Sequence, residues 1–321
     1  MVPLDLAVDP DLTDALVAAS PAMLEVVRQL SIYAIAQTPL VLAGATGTGK
    51  TFCAHLAHDW SRRRGAFLAV SAGELNSPLA ASELFGHVRG AFTGAAGSRG
   101  GYFASARGGT LLLDDFKNLK LSRQKMLLGV LEDGSYRPVG SDRPVSLDCR
   151  VVIGLDDDPD TLVEARRLHP HLRYRFGYAV VRLPPLNERR EEIPALAQRF
   201  LEECAARTGV ADGPRVIARD ALATLMMGDY PGNVRQLRGM IEAGYLLAKG
   251  DAELQTSHLP GSARSGLHYD RRAPRDENLR AMSAALAATG GRIEPAARLI
   301  GAGRTTAFRL VKYLGGVERT L

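Results

Sequence analysis

Gly44-Ala45-Thr46-Gly47-Thr48-Gly49-Lys50-Thr51 is the stretch that decides the fold of this chain. Its spacing is G-x-x-x-x-G-K-T, and it stands between an apolar run, Pro39 to Ala43, and a helix-forming stretch, Phe52 to His58. Glycines at these places let consecutive backbone N–H groups curl around a phosphate, and the start of a helix adds a favourable dipole. A lysine after the last glycine reaches the β and γ oxygens, and the hydroxyl that follows it suits Mg²⁺. Gly44, Ala45, Thr46, Gly47, Thr48, Gly49, Lys50 and Thr51 are therefore expected to bind a nucleotide, with Thr51 in the metal shell.

Such a loop needs an acidic partner on a neighbouring strand. Gly108-Gly109-Thr110-Leu111-Leu112-Leu113-Asp114-Asp115 supplies one, an apolar run ending in two carboxylates. Asp114 is placed for the Mg²⁺ shell and Asp115 for orienting water. Further short β-type runs are Phe67 to Ser71, Val151 to Leu155 and Tyr178 to Leu183. Helical stretches separate them, as in Arg123 to Leu131, where Met126, Leu127, Val130 and Leu131 share a face. Buried strands alternating with helices predict an α/β fold, a parallel sheet with helices on both faces.

Pro184 and Pro185 end the sheet pattern, and from Glu191 to about Ala248 the signal is helical only. One face there carries Ile193, Leu196, Ala197, Phe200 and Leu201, another Ala221, Leu222, Leu225 and Met226. Gly250 to Ala273 reads as a linker, and Glu277 to Tyr313 as three short helices. The expected division is an extension over 1–15, a nucleotide-binding α/β part over 16–186, a helical part over 187–250, a linker over 251–275 and an all-α domain over 276–321.

Charge is unevenly distributed. The whole chain of 321 residues is +5, whereas residues 262–321 alone, with 11 basic and 5 acidic side chains, are +6. A basic tail on a near-neutral body fits a polyanion partner. Apolar residues at 46% and charged ones at 23% exclude a disordered chain, and no apolar run approaches the roughly 18 residues that cross a bilayer. Cys53, Cys149 and Cys204 are three in number and lack metal-ligand spacing, so no disulfide framework is expected. With no basic segment before Arg28, the chain reads as cytoplasmic, without a membrane partner. His55, His58, His87 and His171 are isolated and are assigned no metal.

Between the two nucleotide motifs lies Glu83-Leu84-Phe85-Gly86-His87-Val88-Arg89-Gly90-Ala91-Phe92-Thr93-Gly94-Ala95. Glycines bracketing Ala-Phe-Thr give a mobile loop that presents one aromatic ring and one hydroxyl, material suited to contact. ELFGH followed by GAFTGA resembles the signature of the AAA+ activators of sigma-54 RNA polymerase. The resemblance continues through GGTLLLDD, VRLPPLNERREEIP (Val181 to Pro194) and YPGNVRQL (Tyr230 to Leu237), over roughly residues 16–250. Ala285 to Gly291 and Ala296 to Leu314 are similar to the Fis-type helix-turn-helix that ends these proteins.

That resemblance implies a ring-forming ATPase, usually a hexamer, with dimers when inactive. It implies ATP and Mg²⁺ as ligands, and sigma-54 RNA polymerase and double-stranded DNA as partners. ATP turnover would drive the loop Gly90, Ala91, Phe92, Thr93, Gly94 and Ala95 against sigma-54 and remodel the closed promoter complex. Arg175 corresponds to the second of two arginine fingers, Arg235 to the sensor arginine of the lid, and Leu16 to Ser20 to the segment along the adenine. In the tail, Gly301 to Gly303 makes the turn and Arg304 to Tyr313 the recognition helix. Phe308 and Val311 would face inward, with Arg304, Thr305, Thr306 and Arg309 outward to DNA. With about 15 residues ahead of the ATPase part, no N-terminal regulatory domain is expected.

Four positions depart from the family's pattern. The glutamate after Asp114 is Asp115, whose carboxylate falls about 1.5 Å short for want of one methylene. Its asparagine partner is Ser71, the sensor asparagine is Asp156, and the first arginine finger is His169, with Arg173 nearby. Loss of a finger costs about 10³–10⁵ in rate. The expectation is intact nucleotide binding with slow hydrolysis. The alternative is a hydrolysis-impaired DNA-binding subunit that works in a mixed ring with an active relative.

Overall fold

The computed structural model describes residues 20–177, 179–208, 213–260, 275–288 and 291–317. The chain divides into two compact units, residues 1–185 and 186–321. The first is built on a sheet of five parallel strands: β1 (Leu40–Ala43), β2 (Phe67–Ser71), β3 (Thr110–Asp114), β6 (Arg150–Leu155) and β7 (Val180–Arg182). Their order is β2-β3-β6-β1-β7, with Leu40 opposite Val152 and Ser71 opposite Asp114. A separate antiparallel hairpin pairs β4 (Ser135–Tyr136) with β5 (Val145–Ser146). The five strands of the parallel sheet agree with the sequence reading to within about two residues at each end, whereas the β4–β5 hairpin was not expected.

Both faces of the sheet are buried, so strand residues alternate between two cores. Leu40, Leu42, Leu112, Val152 and Val181 enter one core. There they meet Met23, Val26 and Leu30 of α1 (Pro21–Ala34) and Cys53, Leu56 and Trp60 of α2 (Lys50–Trp60). Val41, Leu111, Leu113, Ile153 and Leu155 enter the other. That core is completed by α3 (Ala80–Phe85), α4 (Tyr102–Ser105), α5 (Leu121–Asp133), α6 (Pro159–Glu164) and α7 (Pro170–Arg175). On α5 the buried face is Leu127, Leu128, Val130 and Leu131, and Met126, expected there, is half-buried at its margin.

One buried charge ties the two ends of this unit together. Arg150, at the start of β6, is almost wholly buried, and its guanidinium donates to the main-chain carbonyls of Tyr33 and Ala34 at the end of α1. Tyr33 O also accepts from the Ala36 backbone N–H at 3.1 Å, so the guanidinium adds to the closure of this turn, and a cation at a helix C-terminus is favoured by the dipole. Burial, with Arg63 adding a smaller push, lowers Arg150 to about 10, so it remains charged at neutral pH.

The second unit is mostly helical. Helices α8 (Ile193–Thr208), α9 (Arg219–Met227) and α10 (Asn233–Leu247) enclose a core of Ile193, Phe200, Leu201, Leu225, Leu237 and Ile241. Met226, expected on the inward face, is exposed, because Leu225 and Tyr230 fill that side instead. The stretch read as a linker is ordered at its start. Strand β9 (Glu253–Leu254) pairs in parallel with β8 (Val216–Ile217), and Leu254 and Leu259 are buried in the lid core. Three further helices follow, α11 (Arg275–Ala288), α12 (Ile293–Leu299) and α13 (Arg304–Val317). They pack through Ala281, Met282, Ala285, Ala296, Ala297, Ile300, Ala307 and Leu310. Small alanines at these contacts let the helices approach closely.

The two family-like stretches of the lid have local structural causes. The side-chain oxygen of Asn233, itself buried at positive φ, accepts from the Leu186 backbone N–H at 2.8 Å. Arg190 donates to the carbonyls of Gly228 and Met226, and the Tyr230 hydroxyl donates to Leu225. The stretches 186–190 and 228–233 are therefore clasped to each other around the lid core.

Candidate functional site

The loop between β1 and α2 folds as its glycines require. Gly47 has φ of 80° and Gly49 of 107°, a region side chains rarely enter. A Cβ on Gly44 would lie 2.8 Å from the Leu183 carbonyl oxygen, so that position is closed to larger residues. Thr48 donates its hydroxyl proton to Ala45 O at 2.8 Å, closing the loop on itself. Lys50 is buried and donates to Gly44 O at 2.8 Å.

Asp114 ends β3 beside this loop. Its Oδ2 accepts from Thr51 Oγ1 at 3.2 Å, and its Oδ1 accepts from the Asp115 backbone N–H at 2.9 Å. A hydroxyl and a carboxylate this close form a pair of hard oxygen donors suited to Mg²⁺. The positive-φ loop, the buried lysine and this donor pair fit a magnesium-bound nucleotide. Asp115 takes φ of 51° at the start of a 3₁₀ turn over Phe116–Asn118, turning its side chain away from the line of the strand. Ser71 sits level with Asp114 on the adjacent strand.

Asp156 follows β6 and lies between two ammonium groups. Lys50 Nζ is 2.7 Å from its Oδ1 and Lys117 Nζ is 2.5 Å from its Oδ2. Thr46 Oγ1 donates more weakly to Oδ2, at 3.4 Å. Burial raises the carboxyl, but hydrogen bonds and charge from Lys117 and Lys50 outweigh it and hold Asp156 below the ordinary aspartate value. Lys117 escaped the sequence reading. Its only signal was a cation two residues beyond Asp115, with nothing to say that a turn would aim it at Asp156.

The rest of the acidic run is structural. Asp158 caps α6 by accepting from Asp160 N at 3.0 Å and pairs with Arg182 at 2.5 Å. Asp158 is thus only partly exposed, whereas Asp157 is exposed. Arg173 makes a two-pronged pair with Asp160, 2.7 and 3.0 Å, which ties its guanidinium to its own chain. Arg175, at the end of α7, directs both Nε and Nη2 to Leu131 O. His169 precedes α7, its backbone N–H donating to Gln124 Oε1 at 2.8 Å; burial, then His171 and Lys125, push its ring's pKa down.

The Gly90–Ala95 loop is a closed turn. Gly90 N donates to Ala95 O at 2.9 Å and Ala95 N to Phe92 O at 3.0 Å, with Gly90 and Gly94 at positive φ. Thr93 is exposed at the tip. Phe92 is half-buried, edge-on to the His87 ring at 5.0 Å, so the aromatic side chain is partly stowed and not fully presented. The loop rests on the β4–β5 hairpin, where a Cβ on Gly140 would come within 2.7 Å of Ala91 Cβ.

In the second unit, Arg235 is exposed on the first turn of α10. On α13, Arg304, Thr305 and Arg309 are exposed and Thr306 is half-buried. Phe308, expected inward, is 48% exposed, because the helix turns Ala307, Leu310 and Val311 to the core. Arg304 Nη2 lies 3.1 Å from Glu294 Oε1 of α12. Of Leu16 to Ser20, only Ser20 is among the described residues, where its hydroxyl caps α1. Among the described residues no helix is long and apolar enough to cross a membrane.

With this geometry in place, comparison with known proteins is direct. Residues 16–182 match the sigma-54 interaction domain, and residues 187–275 match the AAA+ ATPase lid domain. This chain belongs to the sigma-54 interaction family. It is 34% identical over 310 residues to the transcriptional regulatory protein GlrR of Escherichia coli, covering 95% of this chain and 69% of GlrR. It is 36% identical over 256 residues to the response regulator protein PilR of Pseudomonas aeruginosa, covering 78% of this chain and 57% of PilR. It therefore spans between about half and two thirds of the length of these curated relatives. Among solved structures, NtrX from Brucella abortus in complex with ADP covers 95% of this chain and 72% of NtrX, at 27% identity and a TM-score of 0.73. The same protein in complex with ATP gives 28% identity, covering 92% of this chain and 68% of NtrX, with a TM-score of 0.68. The family's fold, a parallel AAA+ sheet with a helical lid, is the fold observed here.

Proposed function

We propose that this chain is an ATP-dependent activator of transcription by sigma-54 RNA polymerase. The observation that supports it most is the presence, in one unit, of a phosphate loop, a Thr51–Asp114 donor pair and the Gly90–Ala95 turn with Thr93 exposed at its tip. Gly44 to Thr51 bind the phosphates of ATP, with Thr51 and Asp114 on Mg²⁺ and Arg235 as the sensor arginine of the lid. Asp115 orients the attacking water, and Arg175 serves as an arginine finger across a ring interface, which requires it to leave Leu131 O. Bound ATP supplies the free energy of the cycle. Thr93 and Phe92 carry it to sigma-54, Phe92 by leaving His87. Arg304, Thr305, Thr306 and Arg309 read upstream double-stranded DNA from α13, within a homo-oligomeric ring.

Two readings of the hydrolytic step differ in outcome. Asp115, one methylene shorter than glutamate, and Arg173, already committed to Asp160, favour a slow or partner-dependent ATPase in a mixed ring. Phosphate release by the purified protein at rising concentration, beside Lys50→Ala as a blank, separates them. Turnover that climbs with concentration identifies a self-sufficient ring. Turnover at the level of the blank, restored by adding an active relative, identifies the mixed-ring subunit. Failure to drive open-complex formation with sigma-54 RNA polymerase in either setting removes the activator reading.

A further inference from the structure

The Lys50–Asp156–Lys117 cluster has a consequence beyond placing the phosphate lysine. Its members are largely shielded from solvent, the Lys50 and Asp156 side chains being 5% and 9% exposed and Lys117 33%. Asp156 Oδ1 accepts from Lys50 Nζ at 2.7 Å, the ammonium group that a lysine at this place in the loop offers to a terminal phosphate oxygen. An anion is thus already bound to the phosphate lysine, and it belongs to the protein.

We propose that Asp156, steadied by Lys117, is an internal counterion that sets the preference of this site between nucleoside diphosphate and triphosphate. This rests on the nucleotide-binding reading of the same loop. For Lys50 to engage a phosphate it must give up Asp156, so apparent affinity falls by the fraction of molecules in which Lys50 is free. The carboxylate also repels the incoming phosphate, and the repulsion grows with its charge, so the triphosphate is penalised more than the diphosphate. Lys117 limits the penalty: once Lys50 has left, it alone neutralises a shielded carboxylate that would otherwise be unpaired. The site consequently rests with a diphosphate or empty, and a triphosphate holds it only at high concentration or with help from a neighbouring subunit.

The test is equilibrium binding of ADP and of a non-hydrolysable ATP analogue, both with Mg²⁺, read by a fluorescent nucleotide and independent of turnover. Asp156→Asn, close in shape, is expected to tighten the analogue at least tenfold and ADP less than threefold. Lys117→Met, which removes one of the two cations paired with Asp156, is expected to weaken the analogue at least fivefold. In the Asp156→Asn background the same change should cost less than twofold, because no carboxylate is left to compensate. Thermal melting of each variant confirms folding, and the Lys117→Met arm stands even if Asp156→Asn does not fold. Unchanged or weaker analogue binding by Asp156→Asn overturns the proposal, as does a Lys117→Met protein that binds like the parent. If the parent chain and Lys50→Ala alike bind neither nucleotide, the nucleotide reading itself fails, an outcome distinct from the other two.

Discussion

A methyl group at position 154 would test the proposed metal site more cleanly than removing Asp114. Gly154 lies in β6 beside Asp114, and a Cβ there would come within 2.2 Å of Asp114 Oδ1. Gly154→Ala therefore moves the carboxylate while leaving it present. Phosphate release should fall about 100-fold, the cost of a roughly 1 Å misplacement of a catalytic group, with nucleotide affinity little altered. Equal loss of affinity and turnover would mean that Asp114 holds the loop and not the metal. At the neighbouring position, Asp115→Glu restores the missing methylene, and steady-state turnover should rise by about tenfold or more if water orientation limits the rate. At this scale the sequence was highly legible for the loop and for Asp114, since both depend on chain-local spacing. It was poorly legible for Lys117 and Arg150, whose partners lie far along the chain and are brought to them only by the folded sheet.

At the scale of elements, the end of α1 is held by a contact from a distant strand. Arg150→Ala removes the donor to the Tyr33 and Ala34 carbonyls and leaves space where a guanidinium stood. The expected destabilisation is about 3 kcal/mol by chemical denaturation, and a loss below about 1 kcal/mol would show that water caps the helix equally well. Helix α2 carries a pH dependence. His58 contacts Thr110 Oγ1 through Nδ1 at 2.9 Å, and burial pulls its pKa below the ordinary value, with Asp59 opposing. The unfolded chain then binds a proton more readily than the folded one, so stability is full above the unfolded value of about 6.5 and falls as pH drops from there towards the lower folded value. His58→Gln should remove part of that slope, the remainder belonging to His169, whose pKa shifts the same way. The periodicity that located α5 and α9 gave the helices but misplaced Met126 and Met226, because a face counted from sequence does not know which neighbour fills its edge. Order at 253–258 was missed for a related reason: two-residue strands are too short to show alternation.

For the whole molecule, charge and topology make separate predictions. The proposed DNA-reading surface lies in the segment of net charge +6, so binding should weaken steeply with salt. Arg304 is exposed, and its contact with Glu294 is a surface ion pair of little energetic weight, leaving it available to a base edge. Arg304→Ala should lower discrimination between cognate and random DNA by about 10-fold or more, with the salt dependence nearly retained. An equal drop on all sequences would make it a phosphate contact. The placing of β1 also bears on how the chain is made. Leu40 pairs with Val152 on one side, and Val41 with Val180 on the other, and neither partner strand is its neighbour in sequence. On a ribosome adding about 5–20 residues each second, the apolar run Leu40 to Ala43 must wait on the order of ten seconds for its first partner. During that interval the phosphate loop that follows it has no strand beneath it. Nascent chains that end before β6 are therefore expected to be clients of holding chaperones, unable to retain nucleotide until that strand emerges.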